Sequence, residues 1–225
     1  GTGGNPAKSE WLFKQNAGEV RFFLYDNGGS LSGDSIRAQA NAATLTSNTW
    51  HHVVATYDGS GNQSGLNIYT DGAVTAATKD ATNSGAGHGN GYVCMKSSVT
   101  AVAIGATIDG AADSNAARVF EDKLADICLF NKELSAAEVS ELYNGGHVKN
   151  MLEASTYGDL ISWWKMGDDL DTTATGGIKD YVSGFNGSVQ NGATIGAVPA
   201  LPTDRIRSEG RIASSFGRTR QPKNV

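Results

Sequence analysis

The chain has little cysteine and little proline: two and four residues in 225. Cys94 and Cys128 are too few for a disulfide framework or a four-ligand zinc site, and spacing alone does not set their Cα separation. Two half-buried free thiols are expected, with a bridge between them as the alternative. No apolar run approaches the ~20 residues a membrane helix needs, so no membrane partner is expected. The formal net charge of −5 is unevenly spread. In residues 202–225, Arg205, Arg207, Arg211, Arg218, Arg220 and Lys223 stand against Asp204 and Glu209, six basic against two acidic, or +4, which leaves −9 for the rest. Ser, Gly and Thr separate these charges without apolar periodicity, so residues 201–225 read as a basic, extended C-terminal arm that orders on a partner. No aromatic ladder accompanies it, which makes nucleic acid an unlikely partner and an acidic protein surface the expected one.

Glycine is abundant, at 29 residues, and apolar runs are short, which suits many turns between short strands and favours an all-β fold. The strongest stretch is Trp50-His-His-Val-Val-Ala-Thr-Tyr-Asp-Gly59, followed by Leu66-Asn-Ile-Tyr-Thr-Asp-Gly72. Each alternates with period two and closes on Asp-Gly, a pair that tolerates the positive φ of tight turns. Trp50 is assigned to the core. His51 and His52 are consecutive on a strand, so they point to opposite faces and do not chelate one metal.

Residues 9–26 read as two strands around Asn16-Ala-Gly18, with Trp11, Phe13, Val20, Phe22 and Leu24 on the apolar face. Residues 35–45 form a weaker strand, and Val74–Thr78 a short return. Asn83–Gly91 is a glycine-rich loop, Tyr92–Met95 and Val102–Ala106 are apolar strands, and 108–115 is an acidic loop. Residues 119–130 end in a strand. Ser135-Ala-Ala-Glu138 is a capping box that starts a helix over about 136–143, stopped by Gly145-Gly146.

These pieces resemble a family. Trp50–Gly59 and the following Leu66–Gly72 resemble the signature W-x-H-V-A-x-T-Y-D-G then L-Y-x-D-G, and the run Asp126-Ile-Cys-Leu-Phe-Asn-Lys-Glu-Leu-Ser-Ala-Ala-Glu-Val-Ser-Glu-Leu-Tyr-Asn144 resembles the closing strand and helix, of the laminin-G-like and pentraxin-like branch of the concanavalin A-like lectin/glucanase superfamily. The resemblance implies a two-sheet antiparallel jelly-roll sandwich with one short helix. The family's opening strand and loop stand late, as Leu160-Ile-Ser-Trp-Trp-Lys-Met-Gly-Asp168 and Asp180-Tyr-Val-Ser-Gly-Phe-Asn-Gly187. Three readings stand: the opening third lies outside this chain, the late segment supplies it as in a circular permutation, or it completes a neighbouring copy in a homo-oligomer. Completion in cis is the reading expected, giving 1–147 as the main sandwich, 148–200 as its completing segment and 201–225 as the arm. Leu142-Tyr-Asn-Gly-Gly146, Asn150-Met-Leu152 and Leu160–Asp169 are also similar to laminin-G-like modules of tailed-phage structural proteins.

Catalysis is not expected. Retaining glycosidases hold two carboxylates ~5–5.5 Å apart, which on a strand needs acidic residues two or four apart. The E-x-D-x-x-E and E-x-D-x-E patterns are absent, and the nearest substitute is Asp169 and Asp171 beside Asp168. Calcium is the cofactor considered. Asp109, Asp113, Asn115 and Asp126, with Asp122 nearby, offer the oxygens that it prefers, against an ordinary acidic loop as the plainer reading. For glycans, Tyr57, Tyr92 and Trp11 are the candidate stacking aromatics, each equally a core residue. The expected function is non-catalytic recognition by a virion surface protein: a capsid decoration, fibre or turret component contacting other virion proteins through its arm and host-surface glycans through its sandwich. A secreted bacterial carbohydrate-binding module and a glycoside hydrolase are the alternatives.

Overall fold

A computed structural model describes residues 10–26, 35–82, 92, 94–95, 101–108, 116–167, 170–190 and 192–196. The described chain is mostly antiparallel strand with one short α-helix. The strands are β1 (Trp11–Asn16), β2 (Glu19–Tyr25), β3 (Ser35–Ala40), β4 (Val53–Tyr57), β5 (Leu66–Thr70), β6 (Ala73–Val74), β7 (Ala77–Thr82), β8 (Ala106–Ile108), β9 (Ala116–Val119), β10 (Ile127–Phe130) and β11 (Leu160–Trp164). The helix α1 spans Ala136–Tyr143. A four-stranded sheet runs β1-β2-β3-β7, a three-stranded sheet runs β4-β5-β6, and β8–β9 and β10–β11 form two further pairs.

The first two strands form where the alternation places them, joined by a tight turn. Ala17 (φ 50°) and Gly18 (φ 81°) both take left-handed backbone there. A Cβ on Gly18 would lie 2.9 Å from the Ala43 Cβ, so the position excludes a side chain on two counts. At the β5–β6 turn Asp71 (φ 51°) and Gly72 (φ 78°) repeat the geometry, and a Cβ on Gly72 would meet the Tyr143 ring at 2.7 Å. The Asp-Gly turn is thus also the place where the helix packs onto the sheet.

Strands β4 and β5 carry apolar side chains on both faces. Leu66 and Ile68 of β5 pack with Val20, Leu24, Ile36, Ala38 and Tyr92, and Val53 and Tyr57 of β4 lie against this cluster. On the opposite face, Tyr69 and Val54 join Leu134, Val139 and Leu142 around α1, with Met151, Ala154, Leu160 and Trp163. Helix α1 starts at the expected capping box: the Glu138 N–H donates to Ser135 Oγ and the Ser135 N–H donates to Glu138 Oε2 at 2.8 Å. Asn144, with φ 50°, ends it.

Three local expectations change. Trp50, assigned to the core, is 46% exposed. The strand begins only at Val53, and Asn48 in left-handed backbone turns the chain before Trp50, so the alternation does not reach back to the indole. No strand forms at 92, 94–95 or 101–105, and the strand expected at 102–106 instead starts at Ala106 and pairs with β9. The return expected at 74–78 divides into β6 on one sheet and β7 on the other. Both cysteines are free, Cys94 exposed and Cys128 half-buried. Strand β11 lies antiparallel to β10, with Ile127 opposite Trp164 and Cys128 opposite Trp163.

Candidate functional site

The four-stranded sheet has one apolar face and one polar face. Val20 and Leu24 of β2 and Ile36, Ala38 and Ala40 of β3 are buried, and their period-two neighbours Glu19, Arg21 and Phe23, and Arg37 and Gln39, are half-buried on the other face, where Tyr25 at the strand end is buried as well. The antiparallel register sets Lys14 beside Arg21, Arg21 beside Gln39, Phe23 beside Arg37, and Arg37 beside Asp80. The side chains use that register. Arg37 donates to Asp80 through Nε at 2.5 Å and Nη2 at 2.7 Å, a two-pronged pair with 40% and 38% of the side chains exposed. Glu19 Oε2 accepts from Arg21 Nη2 at 2.8 Å and Gln39 Nε2 at 3.1 Å. Lys14 Nζ lies 5.0 Å from the Phe23 ring centre, and the Tyr25 ring runs parallel to Phe23 at 6.0 Å. The result is a row of fixed donors and acceptors crossing the strands beside a half-buried aromatic. Spacings of ~4.8 Å between strands and ~7 Å along them suit hydroxyl groups on a flat ligand.

A second polar cluster lies at the edge of β5. His51 Nδ1 is 2.8 Å from Asp71 Oδ2, and its Nε2 is 3.0 Å from both the N–H and the Oγ1 of Thr46. The chain order of hydroxyl, imidazole and carboxylate matches a nucleophile relay. The imidazole lone pair that a general base needs, however, already accepts the Thr46 N–H. Its other role is structural: the other oxygen of Asp71 accepts the His52 N–H at 3.0 Å. The His52 ring turns away onto Tyr143, 5.9 Å between centres, where burial pushes its pKa down and the Asp71 charge only partly restores it.

The remaining expected site residues are dispersed. Tyr92 is buried, and burial, with the neighbouring Tyr57, pushes its phenol far up. Tyr57 packs edge-on against it at 6.4 Å, and its hydroxyl accepts the Gly61 N–H at 2.6 Å. Trp11 is half-buried against the first core. Of the three only Tyr92 is fully buried; Trp11 and Tyr57 are half-buried, as is Phe23, the aromatic beside the polar row on the outer face, while Tyr25 next to it is buried. Asp126 has left-handed backbone (φ 51°) and accepts the Trp163 indole N–H at 3.2 Å. Asp122 accepts its neighbour's N–H, Lys123, at 3.1 Å. Asp109, Asp113 and Asn115 lie outside the described residues, as do Asp168, Asp169 and the arm residues Arg205, Arg207, Arg211, Arg218 and Arg220. Among the described residues no group of three His, Cys, Asp or Glu side chains is placed to hold a metal, and no helix is long and apolar enough to cross a membrane. Asp171 accepts the N–H of Gly167 at 2.8 Å and of Lys179 at 2.9 Å.

Asp180 is a buried carboxylate that holds a loop together. It accepts the N–H of Trp163 and Val182 at 3.0 Å and of Phe185 at 3.1 Å, while its own N–H donates to Asn186 Oδ1. Burial raises its pKa, but these backbone donors and the Ser162 hydroxyl outweigh burial and hold it below the usual carboxylate range. The Asp180-Tyr-Val-Ser-Gly-Phe-Asn-Gly187 string of the late segment is therefore a loop folded around one buried aspartate and tied to β11.

No curated protein and no solved structure matches the chain. A laminin-G family model, described as concanavalin A-like lectin/glucanases superfamily, matches residues 1–140, more than half of the 225. The antiparallel strands, the short capped helix and this match agree: the chain belongs to the concanavalin A-like lectin/glucanases superfamily.

Proposed function

We propose that this protein is a non-catalytic recognition domain that binds glycans on the outer face of the β1-β2-β3-β7 sheet. We further propose that it serves on the virion of a tailed phage as a decoration, fibre or turret component. The observation that carries the glycan reading is the cross-strand row Glu19–Arg21–Gln39 and Arg37–Asp80 beside Phe23. Neutral sugars take such paired charged and amide groups as hydrogen-bond partners, and an aromatic edge covers their apolar face. The absence of catalysis is supported by how the acids are used: Asp71, Asp126, Asp171 and Asp180 each hold backbone or indole N–H groups. The virion setting rests on the resemblance drawn above for Leu142–Gly146, Asn150–Leu152 and Leu160–Asp169 and on the basic arm, whose Arg205, Arg207, Arg211, Arg218 and Arg220 suit an acidic particle surface.

The test is a glycan array followed by calorimetric titration of the best ligand. Arg37→Ala is expected to weaken binding about tenfold, ~1.4 kcal/mol, with the fold intact. Equal affinity of the variant would move the site elsewhere. New reducing ends on incubation with the bound polysaccharide would overturn the non-catalytic reading. Failure to co-sediment with capsid or tail proteins would detach the virion role and leave a free carbohydrate-binding module.

A further inference from the structure

The loop that closes around Asp180 carries an exposed phenylalanine at its tip. Phe185 is 67% exposed, more than any other aromatic side chain among the described residues, and it belongs to neither core. A lone exposed apolar side chain is ordinary on a protein surface. This one is held in place by the fold. The Phe185 N–H donates to Asp180 Oδ2 at 3.1 Å, and the Phe185 carbonyl accepts the Trp164 indole N–H at 2.9 Å. On either side, the Asn186 N–H closes back on the Gly184 carbonyl at 2.9 Å, and Ile178 and Gly187 exchange both backbone bonds. The Ser183 hydroxyl ties the same loop to the Ile161 carbonyl of β11. A buried acid and a buried indole thus fix both backbone groups of a residue whose ring adds nothing to a core. Such order removes the entropy cost that a flexible loop meets on binding.

The surroundings of the ring select the ligand. From Tyr181 to Gln190 no side chain is charged, so the loop has nothing to attract a phosphate backbone or an anionic lipid. Its exposed polar groups are small and neutral: Ser183, Asn186 and Ser188. Asn186 uses its oxygen for the Asp180 N–H and keeps its amide N–H groups as donors. Ser188 Oγ accepts the Gly176 N–H at 2.8 Å and keeps its proton to donate. A Cβ at Gly184 would meet nothing within 4 Å, so the approach beside the ring is open. Area decides between a protein and a small ligand. Phe185 offers about 130 Å² of apolar surface, and Ile161, 39% exposed, adds less, against the roughly 800 Å² per partner of a stable protein interface.

We infer that Phe185 is a stacking platform for a neutral sugar ring, with Asn186 and Ser188 as donors to its hydroxyls. An aromatic face covers the apolar side of a pyranose, and neutral donors match its hydroxyls. The loop is hydrogen-bonded to β11 and not to the four-stranded sheet, so this contact is separate from the outer-face row.

The test is affinity electrophoresis of the whole protein, Phe185→Ala and Phe185→Trp in native gels containing dextran, galactomannan, xylan or dextran sulfate. At least one neutral polysaccharide is expected to retard the protein. Phe185→Ala is expected to weaken that retention about tenfold and Phe185→Trp to keep it, both with the near-ultraviolet circular dichroism of the folded protein. Equal retention of Phe185→Ala, no retention by any of the three neutral polysaccharides, or retention by dextran sulfate alone would overturn the assignment. So would sedimentation showing the unaltered protein self-associated and Phe185→Ala monomeric. Failure of the outer-face reading looks different: Arg37→Ala then keeps full affinity while Phe185→Ala does not.

Discussion

The two faces of β4–β5 are sealed in different ways. One face is closed by strands: Leu24, Ile36, Leu66 and Ile68 are nearly solvent-free, and the side chains meeting there are mostly aliphatic. The other is closed by a helix and irregular chain, and polar groups are buried among its apolar ones: Thr156, Ser162 and Asp180 beside Val139, Leu142 and Trp163. Regular strands satisfy their backbone through the ladder and leave the core to apolar packing. The loop at 180–187 has little ladder, only the bridges Trp164 to Asp180 and Ile178 to Gly187, so a carboxylate takes over the work of satisfying its N–H groups.

That difference is open to attack from both sides. Ile68→Ala removes a fully buried side chain from the first core and is expected to cost about 4 kcal/mol, read as a lower urea midpoint at unchanged slope. Asp180→Ala strands three backbone donors and is expected to cost about 3 kcal/mol, with loss of the near-ultraviolet circular dichroism of Trp163 and Trp164. Equal loss from Ala and Asn at position 180 would mean that charge and not acceptor number matters. Ser135→Ala removes the helix cap and should cost about 1 kcal/mol. Arg37→Ala is expected to change stability by no more than about 1 kcal/mol, because its pair with Asp80 is half exposed, while glycan affinity falls.

Acid separates the cores as well. Asp180 sits below its ordinary value, and the Lys132 ammonium and the Ser135 N–H and hydroxyl pull Glu138 down to about 2. A depressed carboxylate contributes stability that is present above the unfolded value, about 4, and disappears as pH falls through the folded one. Both groups serve the helix-covered face. Tryptophan circular dichroism is therefore expected to decay between about pH 4 and about pH 2 before the strand signal does; simultaneous decay would show one cooperative unit.

How much was legible followed the range of the interactions. The β1–β2 hairpin, β4, β5 and the capped helix depend on neighbours within a few residues, and alternation, Asp-Gly and Ser135-x-x-Glu138 announce them. The β8–β9 pair and the split of 73–82 between two sheets depend on partners that no local pattern names. Trp50 looked interior because its strand was extended three residues too far. Tyr57 illustrates the same limit: an aromatic in an alternating strand reveals its periodicity, not which face is open. The outer row was half visible, since Glu19 and Arg21 alternate with Val20, and Arg37 and Gln39 with Ile36 and Ala38. The Arg37–Asp80 pair spans 43 residues and emerges only from strand order.

The most direct test of glycan recognition on this face is an amide chemical-shift map of the labelled protein titrated with an array-selected oligosaccharide. Shifts concentrated on Lys14, Glu19, Arg21, Phe23, Arg37, Gln39 and Asp80, with the sugar recovered intact, are the expected result. Shifts gathered elsewhere, with these seven residues unmoved, or a cleaved sugar, would contradict it.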